Sequence, residues 1–322
     1  MKIAVVGPGA VGSYYGAKLA HAGQEVHLLL RSDYDAVKRH GVFIHSPDGD
    51  FNVRPKCART PEEIGVCDLV LIALKATAND QFPLLLPPLV GPGTAVLTLQ
   101  NGLGNEESLA KLFPVEQIMG GLCFVCLNRT APGVVRHTAH GMVILGEFQR
   151  WPEPRTHDIA SMFRNAGVNC KVAENLMQAH WEKLVWNIPF NGLGVAGVAG
   201  YEALIDPLVP IGPRAALGPV LTTDKLLADP RWENVVRELM HEVIAGAAAL
   251  GYKIDVSAVD KQIERTRTMA AYEASTLVDF AQGRALELDC LFLEPLRQAK
   301  AAGAKVPRLE ALCRVLQQIN AV

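Results

Sequence analysis

The chain has no excess of positive charge: 31 Lys and Arg stand against 33 Asp and Glu, a formal net charge of −2. No Lys/Arg run marks a local basic cluster, so counterion-driven nucleic-acid binding has no surface to work from. Long apolar runs are missing too, because Gly, Pro or a charged residue breaks each one well before the ~18 residues of a spanning helix. A cleaved signal peptide is not expected either, since a first strand starts at Lys2. The seven cysteines (57, 67, 123, 126, 170, 290 and 313) form no even disulfide framework. Several lie in apolar runs, where Cys acts as a small hydrophobe. Cys123 and Cys126 make one C-x-x-C, but no second pair exists and the surrounding Leu-Cys-Phe-Val-Cys-Leu reads as a strand, not a redox or zinc half-site. His137 and His140 lack the intervening Glu of a zinc-protease helix. A reduced, cytoplasmic protein without a metal is expected.

What is present is a folded composition, 49% hydrophobic and 20% charged over 322 residues. At about 150 residues per domain, that length predicts two domains. Short apolar strands are expected at 3–6, 25–30, 68–74 and 94–99, with a helix over 11–22. Extended segments are expected near 42–46 and 51–54. Continuous apolar runs of this kind belong to parallel strands covered on both faces. Between 118 and 147, three short apolar stretches separated by Pro132-Gly133 and His140-Gly141 predict an antiparallel extension. From about Glu174 onward helical spacing takes over, with helices expected over 176–191, 231–250, 257–281, 284–302 and 307–319. The reading is therefore α/β: a Rossmann-type doubly wound sheet with an antiparallel extension over 1–173, then an all-helical domain over 174–322.

Gly7-Pro8-Gly9-Ala10-Val11-Gly12 is a G-x-G-x-x-G placed between the first strand and the first helix. In a dinucleotide site, Gly7 permits the tight turn, Gly9 lets the backbone approach a pyrophosphate, and Gly12 lets helix and strand pack closely. The helix N-terminus adds free N–H groups and the positive end of its dipole. At the end of the second strand, where NAD and FAD sites carry an acid for the ribose hydroxyls, stand Arg31 and Ser32. A guanidinium pairs with a 2′-phosphate, so NADPH is expected over NADH and over a flavin. Asp33 is a competing acid, two residues further on. Lys75 and Asn101 lie just past the ends of the next two strands, at the carboxyl edge where open α/β sheets bind ligands.

In the helical half, Lys183, Asn187 and Asn191 recur at i, i+4 and i+8, within about an 80° arc of one helix. Their neighbours are almost wholly apolar and include Trp181, Trp186 and Phe190. A polar stripe on such a helix faces either solvent or a polar ligand. A lysine held among amides in an apolar surround is suited to act as a general acid. Ser275 and Glu287 follow in later helices; Glu287 lies in an otherwise core-like run and reads either as a surface carboxylate or as a buried one paired with a donor such as Lys183.

These pieces together resemble the ketopantoate reductase family, nearly end to end. The resemblance rests on the glycine turn, Arg31, Leu74-Lys75-Ala76, Gln100-Asn101-Gly102, Trp181-Glu182-Lys183-Leu184-Val185-Trp186-Asn187, Asn191, Ser275 and Glu287-Leu288-Asp289. It implies an NADP-linked oxidoreductase that reduces the C2 ketone of 2-dehydropantoate to pantoate. It also implies roles: Lys183 as general acid, Glu287 as its orienting partner and a substrate hydrogen-bond acceptor, Asn187, Asn191 and Ser275 as donors to the substrate, and Asn101 as a substrate neighbour. The cofactor falls to Gly7, Pro8, Gly9, Ala10, Val11, Gly12, Arg31, Lys75 and Asn101. The chain departs from the family pattern at Gly192-Leu193-Gly194, Thr276 and Phe292-Leu293, and carries a Pro-rich stretch over 206–219. Another NADPH-linked 2-keto-acid or opine-type reductase and a non-catalytic dinucleotide sensor are the competing readings. A homodimer through the helical domain is compatible with its apolar helices.

Overall fold

A computed structural model describes residues 1–321. It divides into two compact units, Met1–Ala179 and His180–Val322. The first contains strands β1 (Lys2–Val6), β2 (Glu25–Leu29), β3 (Val42–His45), β4 (Phe51–Val53), β5 (Lys56–Ala58), β6 (Leu69–Ile72), β7 (Ala95–Thr98), β8 (Ile118–Ala131), β9 (Val134–Glu147) and β10 (Cys170–Val172). Its helices are α1 (Ala10–His21), α2 (Tyr34–His40), α3 (Phe82–Leu85), α4 (Asn105–Ala110) and α5 (Pro154–Asn165). All ten strands form one sheet ordered β4-β3-β9-β8-β7-β6-β1-β2-β5, with β10 against β9.

Strands β5, β2, β1, β6, β7 and β8 pair parallel, and the order reverses beside β1, between β2 and β6. The side-chain period of two explains why these strands read as unbroken apolar runs. Ile3 and Val5 point into a core with Tyr15, Leu28 and Leu71, whereas Ala4 and Val6 join Ile72, Phe82 and Leu109 on the other face. Each such buried aliphatic side chain contributes roughly 1.5–3 kcal/mol.

The antiparallel extension consists of two long strands where three short ones are expected. Pro132-Gly133 is the hairpin turn between β8 and β9, but His140-Gly141 is a bulge inside β9. Val125 pairs with His140 and Phe124 with Met142, leaving Gly141 as the extra residue, and both His140 (φ 66) and Gly141 (φ 122) have positive φ. A bulge of this kind bends the strand without ending it.

The second unit is helical: α6 (Leu176–Ala196, begun in the first unit), α7 (Tyr201–Ile205), α8 (Thr223–Ala228), α9 (Pro230–Ala249), α10 (Ala258–Arg267), α11 (Ser275–Ala281), α12 (Glu294–Ala301) and α13 (Pro307–Ala321). Proline opens α9 and α13, where a missing N–H costs nothing. Asp229 caps α9 by accepting from Arg231 N at 2.9 Å. The helix expected over 257–281 is broken. Residues 268–274 leave the helical path, Ala270 takes φ 54, and Thr223 Oγ1 and N bond the backbone of Ala270 and Tyr272 in place of a helical partner. The stretch 284–287 is likewise not helical, and a π-helical turn over Asp289–Leu293 leads into α12. Among the described residues, no helix is long and apolar enough to cross a membrane.

Candidate functional site

The glycine turn sits where the strand order reverses, at the carboxyl end of β1 and beside the loop that follows β6. Its three glycines behave differently. Gly7 has φ +83, and a methyl group there would lie 2.6 Å from Leu74 N and 2.7 Å from Leu74 Cα. At Gly12 the same addition would meet Gly7 O at 2.7 Å, with Ala73 Cβ and Val5 Cγ1 both at 3.1 Å. Gly7 and Gly12 are therefore glycine because protein backbone and helix packing fill the space.

Gly9 has φ −73, and the nearest atom to an added methyl is Gly7 O at 4.0 Å. Among the described residues no atom crowds the missing side chain, and the open space lies at the N-cap of α1, where Ala10, Val11 and Gly12 carry N–H groups with no partner four residues earlier in the helix. No acidic residue occupies the first turn of α1. These features fit a pyrophosphate held against the backbone. Ser13 Oγ donates to Pro8 O at 2.8 Å and pins the turn from behind.

Arg31 is exposed after β2, and Asp33 is buried (7% exposed) at the N-cap of α2. Lys75 is exposed beyond β6, and Asn101 half-buried beyond β7. The loops carrying them are joined by amides not anticipated in the sequence. Thr98 Oγ1 donates to Gln100 Oε1 (2.9 Å), Gln100 Nε2 to Asn79 Oδ1 (2.7 Å), Asn79 Nδ2 to Asn105 Oδ1 (2.9 Å), and Asn105 Nδ2 to Asn101 O (3.1 Å). Gln100 and Asn105 are buried, which a chain this well satisfied permits. Buried amides so close to a strand end were the available signal.

In the helical unit the stripe on α6 forms, and the helix continues through Pro189. Lys183 is half-buried, Asn187 9% exposed and Asn191 3% exposed. Asn191 reaches the start of α11, where its Oδ1 accepts from Ser275 Oγ at 3.3 Å and from Thr276 N at 3.1 Å. Both of these bonds use the oxygen, and the Nδ2 group is the donor end. Ser275 is exposed at the first residue of α11. Glu287 is 6% exposed and precedes the π-helical turn. Trp186 Nε1 donates to Thr266 Oγ1 at 2.9 Å, fixing α6 to α10.

Two departures from the family pattern, Gly192 and Phe292, meet in the packing. A methyl on Gly192 would lie 2.9 Å from Phe292 Cε1 and 2.6 Å from Leu312 Cδ2, and one on Gly194 would lie 2.5 Å from Leu277 Cδ1. Phe292 is fully buried. Small residues on α6 thus accommodate large ones opposite, and Thr276 contributes its backbone N–H to Asn191.

All seven cysteines are free, and Cys123 and Cys126 lie within β8. His137 is buried in β9, bonded through Nδ1 to Ser46 Oγ at 2.9 Å and through Nε2 to His140 O at 3.1 Å. Among the described residues, no group of three or more His, Cys, Asp or Glu side chains is arranged to hold a metal ion.

Residues 3–150 match the family model described as ketopantoate reductase PanE/ApbA, and residues 208–320 match its C-terminal counterpart. The chain is 37% identical to a 2-dehydropantoate 2-reductase of Nostoc sp., over 99% of this chain and 95% of that protein. A crystal structure of 2-dehydropantoate 2-reductase from Geobacter metallireducens superposes with a TM-score of 0.88 at 44% identity, covering 99% of both chains. A D-mandelate dehydrogenase solved with NADH and anilino(oxo)acetate shares the fold (TM-score 0.81, 21% identity, covering 100% of this chain and 99% of that chain).

Proposed function

The chain belongs to the ketopantoate reductase family and is an oxidoreductase, and on that premise we propose that it reduces 2-dehydropantoate to pantoate with NADPH, Lys183 serving as general acid. The observation that carries the proposal is the Lys183–Asn187–Asn191 stripe of a mostly buried helix, tied through Asn191 to Ser275 and Thr276.

Bound NADPH supplies the hydride that adds to the C2 ketone carbon. The Lys183 ammonium donates a hydrogen bond to the ketone oxygen and then a proton as negative charge develops there, a role worth roughly 10²–10⁴ in rate. Glu287, buried and needing a cation or donors, orients that ammonium. The Asn191 amide and Asn187 donate to the substrate carboxylate and hydroxyl. Ser275 Oγ, whose own hydrogen goes to Asn191, accepts from the hydroxyl. Gly7, Pro8, Gly9, Ala10, Val11 and Gly12 hold the pyrophosphate, and Arg31 pairs with the 2′-phosphate. Lys75 and Asn101, on loops joined by the amide chain, complete the cofactor and substrate surface.

Seven free thiols suit a reducing cytoplasm, and pairing of two copies through the helical unit belongs to the same reading. The departures at Gly192 and Phe292 pack against each other and Thr276 meets Asn191 through its backbone alone; neither an opine-type substrate nor a non-catalytic sensor is favoured. The test is turnover of NADPH against a panel of 2-keto acids by wild type, Lys183→Ala and Glu287→Gln. Ketopantoate is expected as the best substrate, and Lys183→Ala is expected to lose about two to four orders of magnitude in kcat with its melting temperature kept. Absence of turnover on every 2-keto acid defeats the proposal.

A further inference from the structure

Asp33 stands close to where dinucleotide sites carry the acid that accepts from ribose hydroxyls, yet its carboxylate is already engaged. Arg129 Nη1 donates to Oδ1 at 2.6 Å and to Oδ2 at 2.5 Å. Ser32 Oγ donates to Oδ1 at 3.0 Å and Gly133 N to Oδ2 at 3.3 Å. A carboxylate has about four acceptor positions, and four donor contacts fill them. Burial opposes ionisation of Asp33, but the Arg129, Ser32 and Gly133 hydrogen bonds outweigh it and hold the pKa below its ordinary value.

Arg129 and Gly133 belong to the tip of the β8–β9 hairpin, about 100 residues further along the chain. A cavity of about 340 Å³ opens at this junction, lined by Ser32, Asp33, Arg129, Thr130, Ala131 and Pro132. Arg129 remains 44% exposed while the Asp33 side chain is 9% exposed, so the arginine reaches inward to the acid from the surface.

We propose that Arg129 is a positioning residue for cofactor choice: by occupying Asp33 it withdraws a carboxylate that would accept from a ribose 2′-hydroxyl and repel a 2′-phosphate, leaving Arg31 to select NADPH. The inference rests on the NADPH reading above. With Arg129 gone, Asp33 is freed as an acceptor and its negative charge is no longer balanced.

The experiment compares kcat/KM for NADPH and for NADH in wild type, Arg129→Gln, Arg129→Lys, Asp33→Asn and the Arg129→Gln/Asp33→Asn double variant. Arg129→Gln is expected to lower the NADPH-to-NADH ratio by about ten- to a hundredfold, with NADH efficiency rising in absolute terms. Arg129→Lys is expected to retain most of the preference, and removing the carboxylate in the double variant to abolish the NADH gain. A general loss of fold would lower both cofactors together and would not be reversed by Asp33→Asn. Should Arg129→Gln fail to fold, Arg129→Met, which keeps much of the apolar stem, gives the same comparison. A wild type that prefers NADH overturns the cofactor reading itself. A wild type that prefers NADPH, with variants that lose NADPH efficiency without any NADH gain, overturns this inference alone.

Discussion

The glycine turn separates folding from binding at neighbouring residues. Gly7→Ala places a side chain at φ +83, which costs roughly 1–2 kcal/mol. It also drives the new methyl to 2.6 Å from Leu74 N, a backbone atom with little room to yield, for about 1–3 kcal/mol more. The sum is about 2–5 kcal/mol, and for a unit of this size each kcal/mol lowers the melting temperature by roughly 2–4 °C. A fall of order 10 °C is expected. Gly9→Ala meets nothing nearer than 4.0 Å, so its stability cost should stay on the order of 0.5 kcal/mol. Its methyl instead occupies the space assigned to the pyrophosphate. Overpacking there by about 1–3 kcal/mol weakens NADPH binding roughly 5- to 150-fold. Thermal melts without cofactor and a fluorescence titration with NADPH read the two quantities on the same samples. A Gly9→Ala protein that binds NADPH as tightly as wild type, or that melts as low as Gly7→Ala, refutes the assignment of that space.

Two further outcomes follow from the packing and the charges. Gly192→Ala is expected to destabilise by about 1–3 kcal/mol, because its methyl would lie 2.9 Å from Phe292 Cε1. Combined with Phe292→Leu it should cost less than the two single changes together, by about 0.5 kcal/mol or more in denaturant melts; strict additivity would show the two sites to be uncoupled. Because the Asp33 pKa is lowered by folding, its contribution to stability is present in full above the ordinary carboxylate value of about 3.9 and is lost as pH falls from there through the folded value. Melting temperatures between pH 6 and pH 3 should therefore fall more steeply in wild type than in Asp33→Asn, and parallel curves would remove Asp33 from the acid response.

Local chemistry made much of the first unit legible. The apolar runs at β1, β6 and β7 are buried on both faces, and a strand followed by the glycine turn is a local signal. The stripe on α6 was equally readable, since Lys183, Asn187 and Asn191 lie within three turns of one helix. What stayed hidden depends on partners far along the chain. Nothing between 268 and 274 punctuates the sequence, because no Gly or Pro occurs there. The break comes from Thr223 capturing the backbone of Ala270 and Tyr272. The engagement of Asp33 depends on a hairpin tip whose register no local pattern sets, and the amide chain around Asn101 links loops from two different strands.

The sheet order also has a consequence for synthesis on the ribosome. β3 pairs with β9 through Phe43 and Val134, so one edge of β3 has no native partner until roughly 90 further residues have been added. At about 5–20 residues per second, Val42 and Ile44 wait on the order of 5–20 s before that partner is made. The β3–β4 ribbon is thus the nascent segment most exposed to mispairing, and synthesis that pauses between positions 60 and 130 would lengthen the interval in which a chaperone has something to hold.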